Sequence, residues 1–250
     1  MQEQSLEGFR ISPQQKRLWM LQQSASTPHY RATFAVKIAG NLNLKVLEAA
    51  LENLVSHYEI FRTNFQCLQG MALPLQIINN HRVPAIVYHN LSGRDSEAQA
   101  AQVETLFAEV SSRVFDLGYG HVLDVCLVIL SQDLHLLLVG MPALVADRVT
   151  VKNFVHEISR FYVTNLQGKE LSDEPLQYAD IAEWQNELFE GADAEIGKEY
   201  WRKNNILNFV DISLPNEKKN DIKVEFKPEI VAVQLDTQVV AKIENIAQNF

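Results

Sequence analysis

Seven histidines and two cysteines are the side chains of this 250-residue chain best suited to move protons or attack carbonyl carbons near neutral pH. His29, His57, His81, His89, His121, His135 and His156 are scattered. No two stand in an HxxxH or HExxH spacing, so a metal centre lacks its ligand pair. Cys67 and Cys126 belong to no CxxC pair, which argues against a zinc site and against a disulfide framework. Cys126 lies inside an apolar strand pattern and reads as a small buried hydrophobe, not a nucleophile. The sequence has no GxSxG elbow, no phosphate-cradling glycine loop and no paired-carboxylate arrangement. Met141-Pro142-Ala143-Leu144-Val145-Ala146-Asp147-Arg148-Val149-Thr150 is where an apolar strand gives way to a helix. Asp147 stands at the helix start, where the exposed amides favour a carboxylate. His135 shares a strand face with position 143 if the alternation holds, but several residues separate them.

The elements that must position this stretch can be read from periodicity. Arg17, Leu18, Trp19 and Leu21 mark a helix within 11–23, and Thr33–Ala39 alternates as a strand. Asn43 caps a helix whose Leu44, Leu47, Leu51, Leu54, Val55 and Tyr58 share one face. Thr63–Leu68 and Leu75–Ile78 predict a hairpin, and Val83–His89 another strand. Asp95 opens a helix with Val103, Leu106, Phe107, Val110 and Val114 inward, which Gly118 and Gly120 are expected to stop. Val122–Leu130 and Leu134–Gly140 are nearly all apolar, which predicts strands buried on both faces. The helix after Asp147 carries Val151, Phe154, Val155, Ile158, Phe161 and Tyr162, and Gly168 ends it. A polar, turn-rich stretch, 168–175, reads as a boundary. A short helix over Tyr178–Leu188 follows, then the stretch Glu195–Asn204, a charged loop over Pro215–Asp221, a strand over Val231–Leu235 and a helix ending at Phe250. No capping residue follows Phe250, and the chain reads as cut there.

Five segments in order carry a resemblance. Ser12-Pro13-Gln14-Gln15-Lys16-Arg17-Leu18-Trp19-Met20-Leu21, His57-Tyr58-Glu59-Ile60-Phe61-Arg62-Thr63-Asn64-Phe65, Phe115-Asp116-Leu117, the Met141–Thr150 stretch, and Tyr178-Ala179-Asp180-Ile181-Ala182-Glu183-Trp184-Gln185 with Tyr200-Trp201 after it resemble the signatures of condensation domains of nonribosomal peptide synthetases. The resemblance implies an α/β fold, the two-layer sandwich of the chloramphenicol acetyltransferase type. It implies a domain nearly twice this length with two such lobes and a tunnel between them. Residues 1–172 are then expected to be the N-terminal lobe and 173–250 the truncated opening of the second. In the family the fourth segment reads Met-His-His, three residues, then Asp-Gly. Here Pro142 and Ala143 replace both histidines and Arg148 replaces the glycine. The family's second histidine positions or deprotonates the attacking amine, help worth about 10²–10⁴ in rate that alanine cannot give. The resemblance also implies a structural ion pair between Arg62 and Asp147. Arg148 either fills the tunnel with fixed charge or holds an acidic group, or it turns to solvent.

The resemblance implies aminoacyl or acyl thioesters as substrates, amide formation as the reaction, and partner carrier proteins bearing phosphopantetheine arms beside neighbouring synthetase domains. No cofactor is expected on the chain itself. Two functions follow: a degenerate, non-catalytic module that docks carriers or neighbours, or an acyltransferase that works by positioning and backbone donors. A formal net charge of −9 without a Lys/Arg cluster argues against nucleic acid. The longest apolar run, 136–146, contains Gly140 and Pro142 and is too short to span a bilayer. No apolar signal core stands at the N-terminus, so a cytoplasmic location is expected. An isolated lobe is expected to expose apolar surface.

Overall fold

The apolar run over 136–146 becomes the spine of the larger sheet. The structure is a computed structural model and describes residues 8–24, 30–169, 171–204 and 233–249. The chain divides into two compact units, Met1–Glu217 and Lys218–Phe250. In the first the order is β1 (Phe9–Arg10), α1 (Pro13–Ser24), β2 (Arg31–Ala39), α2 (Leu44–His57), a 3-10 turn (Glu59–Arg62), β3 (Thr63–Gln66), β4 (Leu75–Ile78), β5 (Ile86–Asn90), α3 (Ser96–Ser112), β6 (Asp124–Ser131), β7 (Leu134–Pro142), α4 (Arg148–Leu166), α5 (Tyr178–Glu190) and α6 (Ala194–Lys203).

The larger sheet runs β2-β7-β6-β5. β7 pairs antiparallel with both neighbours, while β5 pairs parallel with β6 through the α3 crossover. A small antiparallel sheet runs β1-β4-β3, so the expected hairpin is present. Alternation along β7 splits the core. Leu137, Val139 and Met141 pack with Leu47, Leu51 and Leu54 of α2 and Phe154, Ile158 and Phe161 of α4. Leu138 faces the other way, with Cys126 and Val128 of β6 and Leu106 and Val110 of α3. The sheet is thus covered on both faces, as the continuous apolar runs require. Gly140 permits the α3 contact, because a Cβ there would meet Val110 Cγ1 at 3.0 Å.

Caps fall where the side chains predict them. Asn43 accepts the Val46 N–H before α2, and Asp95 accepts the Ala98 N–H before α3. α4 runs out at Gly168, whose φ of 62° suits glycine. The stop of α3 is a correction: it ends at Ser112, well short of Gly118 and Gly120. Those glycines serve a turn instead. Asp116 Oδ1 accepts the N–H groups of Gly118 and Tyr119, and Leu117 O accepts the Phe65 N–H, which pins the turn to β3.

α5 hangs on the body by polar bonds. Arg10 pairs with Glu183 at 2.7 Å and Glu190 at 2.8 Å, and Asn186 donates to Ile11 O. The Gln177 amide bridges the Glu59 N–H and His57 O. The buried residues of α5 are Ala179 and Ala182. In the second unit α7 (Thr237–Gln248) is capped by Asp236 and carries Val239, Ile243 and Ile246 as an exposed stripe. The expected loop over 215–221, and positions 231, 232 and 250, lie outside the described residues; 233–236 are irregular, not strand.

Candidate functional site

Where β7 gives way to α4 the backbone turns through residues 143–146, and a cleft of about 390 Å³ opens beside the turn. Gln14, Gln15 and Leu18 of α1 form one wall; Ala143, Asp147 and Thr150 form the second; Tyr178 and Gln185 of α5, with Ile60, form the third. The turn continues the sheet, since the Ala143 N–H donates to Tyr30 O at 2.9 Å. Val145 N–H then donates to Pro142 O at 3.0 Å. Pro142 ends β7 opposite Arg31, buried, with no N–H of its own.

A buried polar network holds the walls together. Ser12 and Gln15 form a reciprocal capping box: the Gln15 N–H donates to Ser12 Oγ at 3.1 Å, and the Ser12 N–H donates to Gln15 Oε1 at 2.9 Å. Gln15 Nε2 donates to Leu144 O at 2.9 Å and to Gln76 Oε1 at 3.2 Å. Gln76 Nε2 donates to Arg10 O at 2.8 Å, and Ser12 Oγ meets the Tyr178 hydroxyl at 2.9 Å. Ser12, Gln15 and Gln76 are all buried. The signatures include Ser12, Gln15, Tyr178 and Gln185 without giving them a task, and Gln76 lies outside them. The Ser-x-x-Gln spacing was a readable signal, and so was a lone glutamine inside the apolar strand Leu-Gln-Ile-Ile.

Asp147 is the N-cap of α4. Its Oδ1 accepts the Thr150 N–H and the Thr150 hydroxyl, both at 2.8 Å, while that hydroxyl accepts the Asp147 N–H at 3.1 Å. The Thr150 N–H above all holds its carboxyl below the usual carboxylate range, against the opposing effect of burial. The expected Arg62–Asp147 pair is a correction, because each group has other partners. Arg62 donates to Asn79 O at 2.6 Å and pairs with Glu59 at 3.2 Å. Residues three apart eclipse on a 3-10 turn, which sets Glu59 beside Arg62. Arg148 opens α4 and is exposed.

Among the described residues no histidine lines the cleft. His135 is buried near the far end of β7, about 26 Å from position 143 along an extended strand. His57 ends α2 with its ring edge-on to Phe161 at 5.3 Å. Cys126 is buried and burial pushes its thiol up; Cys67 is exposed. Among the described residues no group of three His, Cys, Asp or Glu could hold a metal ion. No helix among them is long and apolar enough to cross a membrane.

The Condensation domain family model matches residues 7–250. This chain belongs to the condensation-domain family. Tyrocidine synthase 3 of Brevibacillus parabrevis is 30% identical over 243 residues, covering 97% of this chain and 4% of that protein. Chondramide synthase cmdD of Chondromyces crocatus is 27% identical over 241 residues, covering 95% and 6%. The condensation domain of the monacolin K polyketide synthase MokA shares the fold at a TM-score of 0.76 and 22% identity, over 98% of this chain and 56% of that one. An X-domain from teicoplanin biosynthesis matches at 0.67 with 25% identity, over 79% and 43%. The chain therefore spans a few per cent of the synthases and about half of these solved chains. The mixed α/β fold is that of condensation domains, as the signatures implied. In this condensation domain Ala143 lines the cleft.

Proposed function

We propose that this condensation domain keeps the acyl-transfer cleft without its proton-handling imidazole, and serves to dock carrier proteins and neighbouring synthetase domains. The carrying observation is that Ala143 lines the cleft while no histidine among the described residues does. A methyl group accepts neither a proton nor a hydrogen bond, so general-base help from this position is lost. The walls are nonetheless held in shape by the Ser12–Gln15–Gln76 network. An X-domain with this fold is also known in complex with OxyB, which supports a docking role for such a scaffold. In this reading residues 1–172 are the first lobe and 173–250 open the second. The partners present acyl groups on phosphopantetheine arms, and the module works in the cytoplasm.

The test is acyl transfer between loaded carriers by the full-length synthetase, beside its Ala143→His variant. The parent is expected to show no turnover above background while still binding both carriers by calorimetry. The variant is expected to gain transfer, up to about 10²–10⁴-fold. Parent turnover at the level of ordinary condensation domains would end the docking reading and favour an acyltransferase that works by positioning alone. Loss of carrier binding would end both.

A further inference from the structure

We infer that Gln15 is a positioning residue that sets the backbone path of the turn bearing residue 143. Calling that turn functional rests on the reading above; the placement of Gln15 does not. Both ends of its amide are fixed by backbone groups of opposite kind. Oε1 faces the Ser12 N–H, which can only donate, and Nε2 faces Leu144 O, which can only accept. The second Nε2 hydrogen goes to Gln76 Oε1, and Gln76 is itself oriented because its Nε2 donates to Arg10 O. One buried side chain therefore joins the start of α1, strand β4 and the turn after β7, and no residue but glutamine offers that length with an acceptor on one side and two donors on the other. Two signature segments, Ser-x-x-Gln and the Met141–Thr150 stretch, are coupled through the Leu144 carbonyl, 129 residues from Gln15.

Glutamate tests this by atom replacement. Ionised, a glutamate at 15 sets an oxygen against Leu144 O and Gln76 Oε1; protonated, it regains one O–H to donate to Leu144 O. Burial and those two acceptors favour the protonated form. The titratable groups on the surrounding walls are Asp147 and Tyr178, while Arg10 of β1 is engaged by Glu183 and Glu190 and Arg62 by Glu59. Asp147 stays ionised above pH 5, since its carboxyl lies below the usual range. The introduced carboxyl is thus the group that titrates at this node.

The experiment is residue-resolved hydrogen exchange on the whole chain, comparing parent, Gln15→Leu and Gln15→Glu at pH 5 and pH 8 as protection factors. In Gln15→Leu the Ala143 and Val145 amides are expected to lose at least about tenfold protection at both pH values, beyond any loss at Leu127 and Leu137 in mid-sheet. In Gln15→Glu the same local loss is expected at pH 8 and recovery toward the parent at pH 5. Loop amides that fall only in parallel with the sheet amides would overturn the assignment, because the effect would then be global. A Gln15→Glu protein with the same loss at both pH values, or one that fails to fold at pH 5, would overturn it too. Acyl-transfer results leave this outcome untouched, so the two readings fail separately.

Discussion

Leu127, Leu137 and Leu138 in mid-sheet are sealed from solvent, whereas Trp184, Leu188 and Phe189 of α5 and Tyr200 and Trp201 of α6 are about half exposed. The sheet and its helices cohere by burying apolar surface, which is non-directional and scales with area. α5 is attached by directional bonds from Arg10, Ser12, Gln177 and Asn186, and turns two alanines inward. Trp184, Leu188 and Phe189 of α5 serve neither and stay exposed. The contrast shows that one unit can hold a cleft between a wall fixed by packing and a wall fixed by hydrogen bonds, and that the second kind leaves an apolar face uncovered.

Four substitutions break or sharpen this contrast. Phe154 lies edge-on to both Phe34 and Phe61 and is buried, so Phe154→Ala should lower unfolding free energy in urea by about 3–5 kcal/mol. Asp147→Ala should cost about 0.5–2 kcal/mol, the value of a helix cap. A loss of about 3–5 kcal/mol would instead point to a buried charge pair with Arg62. Because the Asp147 carboxyl is held low in the folded state, its contribution is present at neutral pH and is lost as pH falls below about 4. Asp147→Asn keeps a capping oxygen and should flatten that acid-side slope in a urea series across pH. Trp184→Ala, on the exposed face, should change stability by less than about 0.5 kcal/mol in the same assay. A larger loss would show that α5 draws on packing after all.

Much of the sheet and its helices could be read before the structure, because the periodicities were strong. Asn43, Asp95 and Asp147 each cap the helix they precede, and the two central strands are where continuous apolar runs put them. Gly118 and Gly120 misled, because glycine marks a break in the chain without saying which kind. Asp116 folds them into a turn, and Gly120 in particular has no room for a Cβ against Asp116 O at 2.7 Å. Ala143, which belongs to the motif, lines the cleft, while no Arg62–Asp147 ion pair is formed. A resemblance conveys which residues recur but not which neighbour reaches a charge first, and Glu59 is three residues from Arg62. The glutamine node was hidden for another reason. Gln15 and Gln76 are 61 residues apart, and only the fold brings their amides together.

Strand order carries a consequence for how the chain is made. β2 lies at the edge of the larger sheet, and the strand it pairs with is β7, with Arg31 opposite Pro142. A ribosome delivers β2 long before that partner exists, so its backbone amides and carbonyls wait in water while α2, the small sheet, β5, α3 and β6 are synthesised. Pairing so distant in sequence is slow to form, and an unpaired strand is where nascent chains stick to one another. Arg31 and Lys37 place charge along that waiting strand, the usual protection of an edge against its own kind.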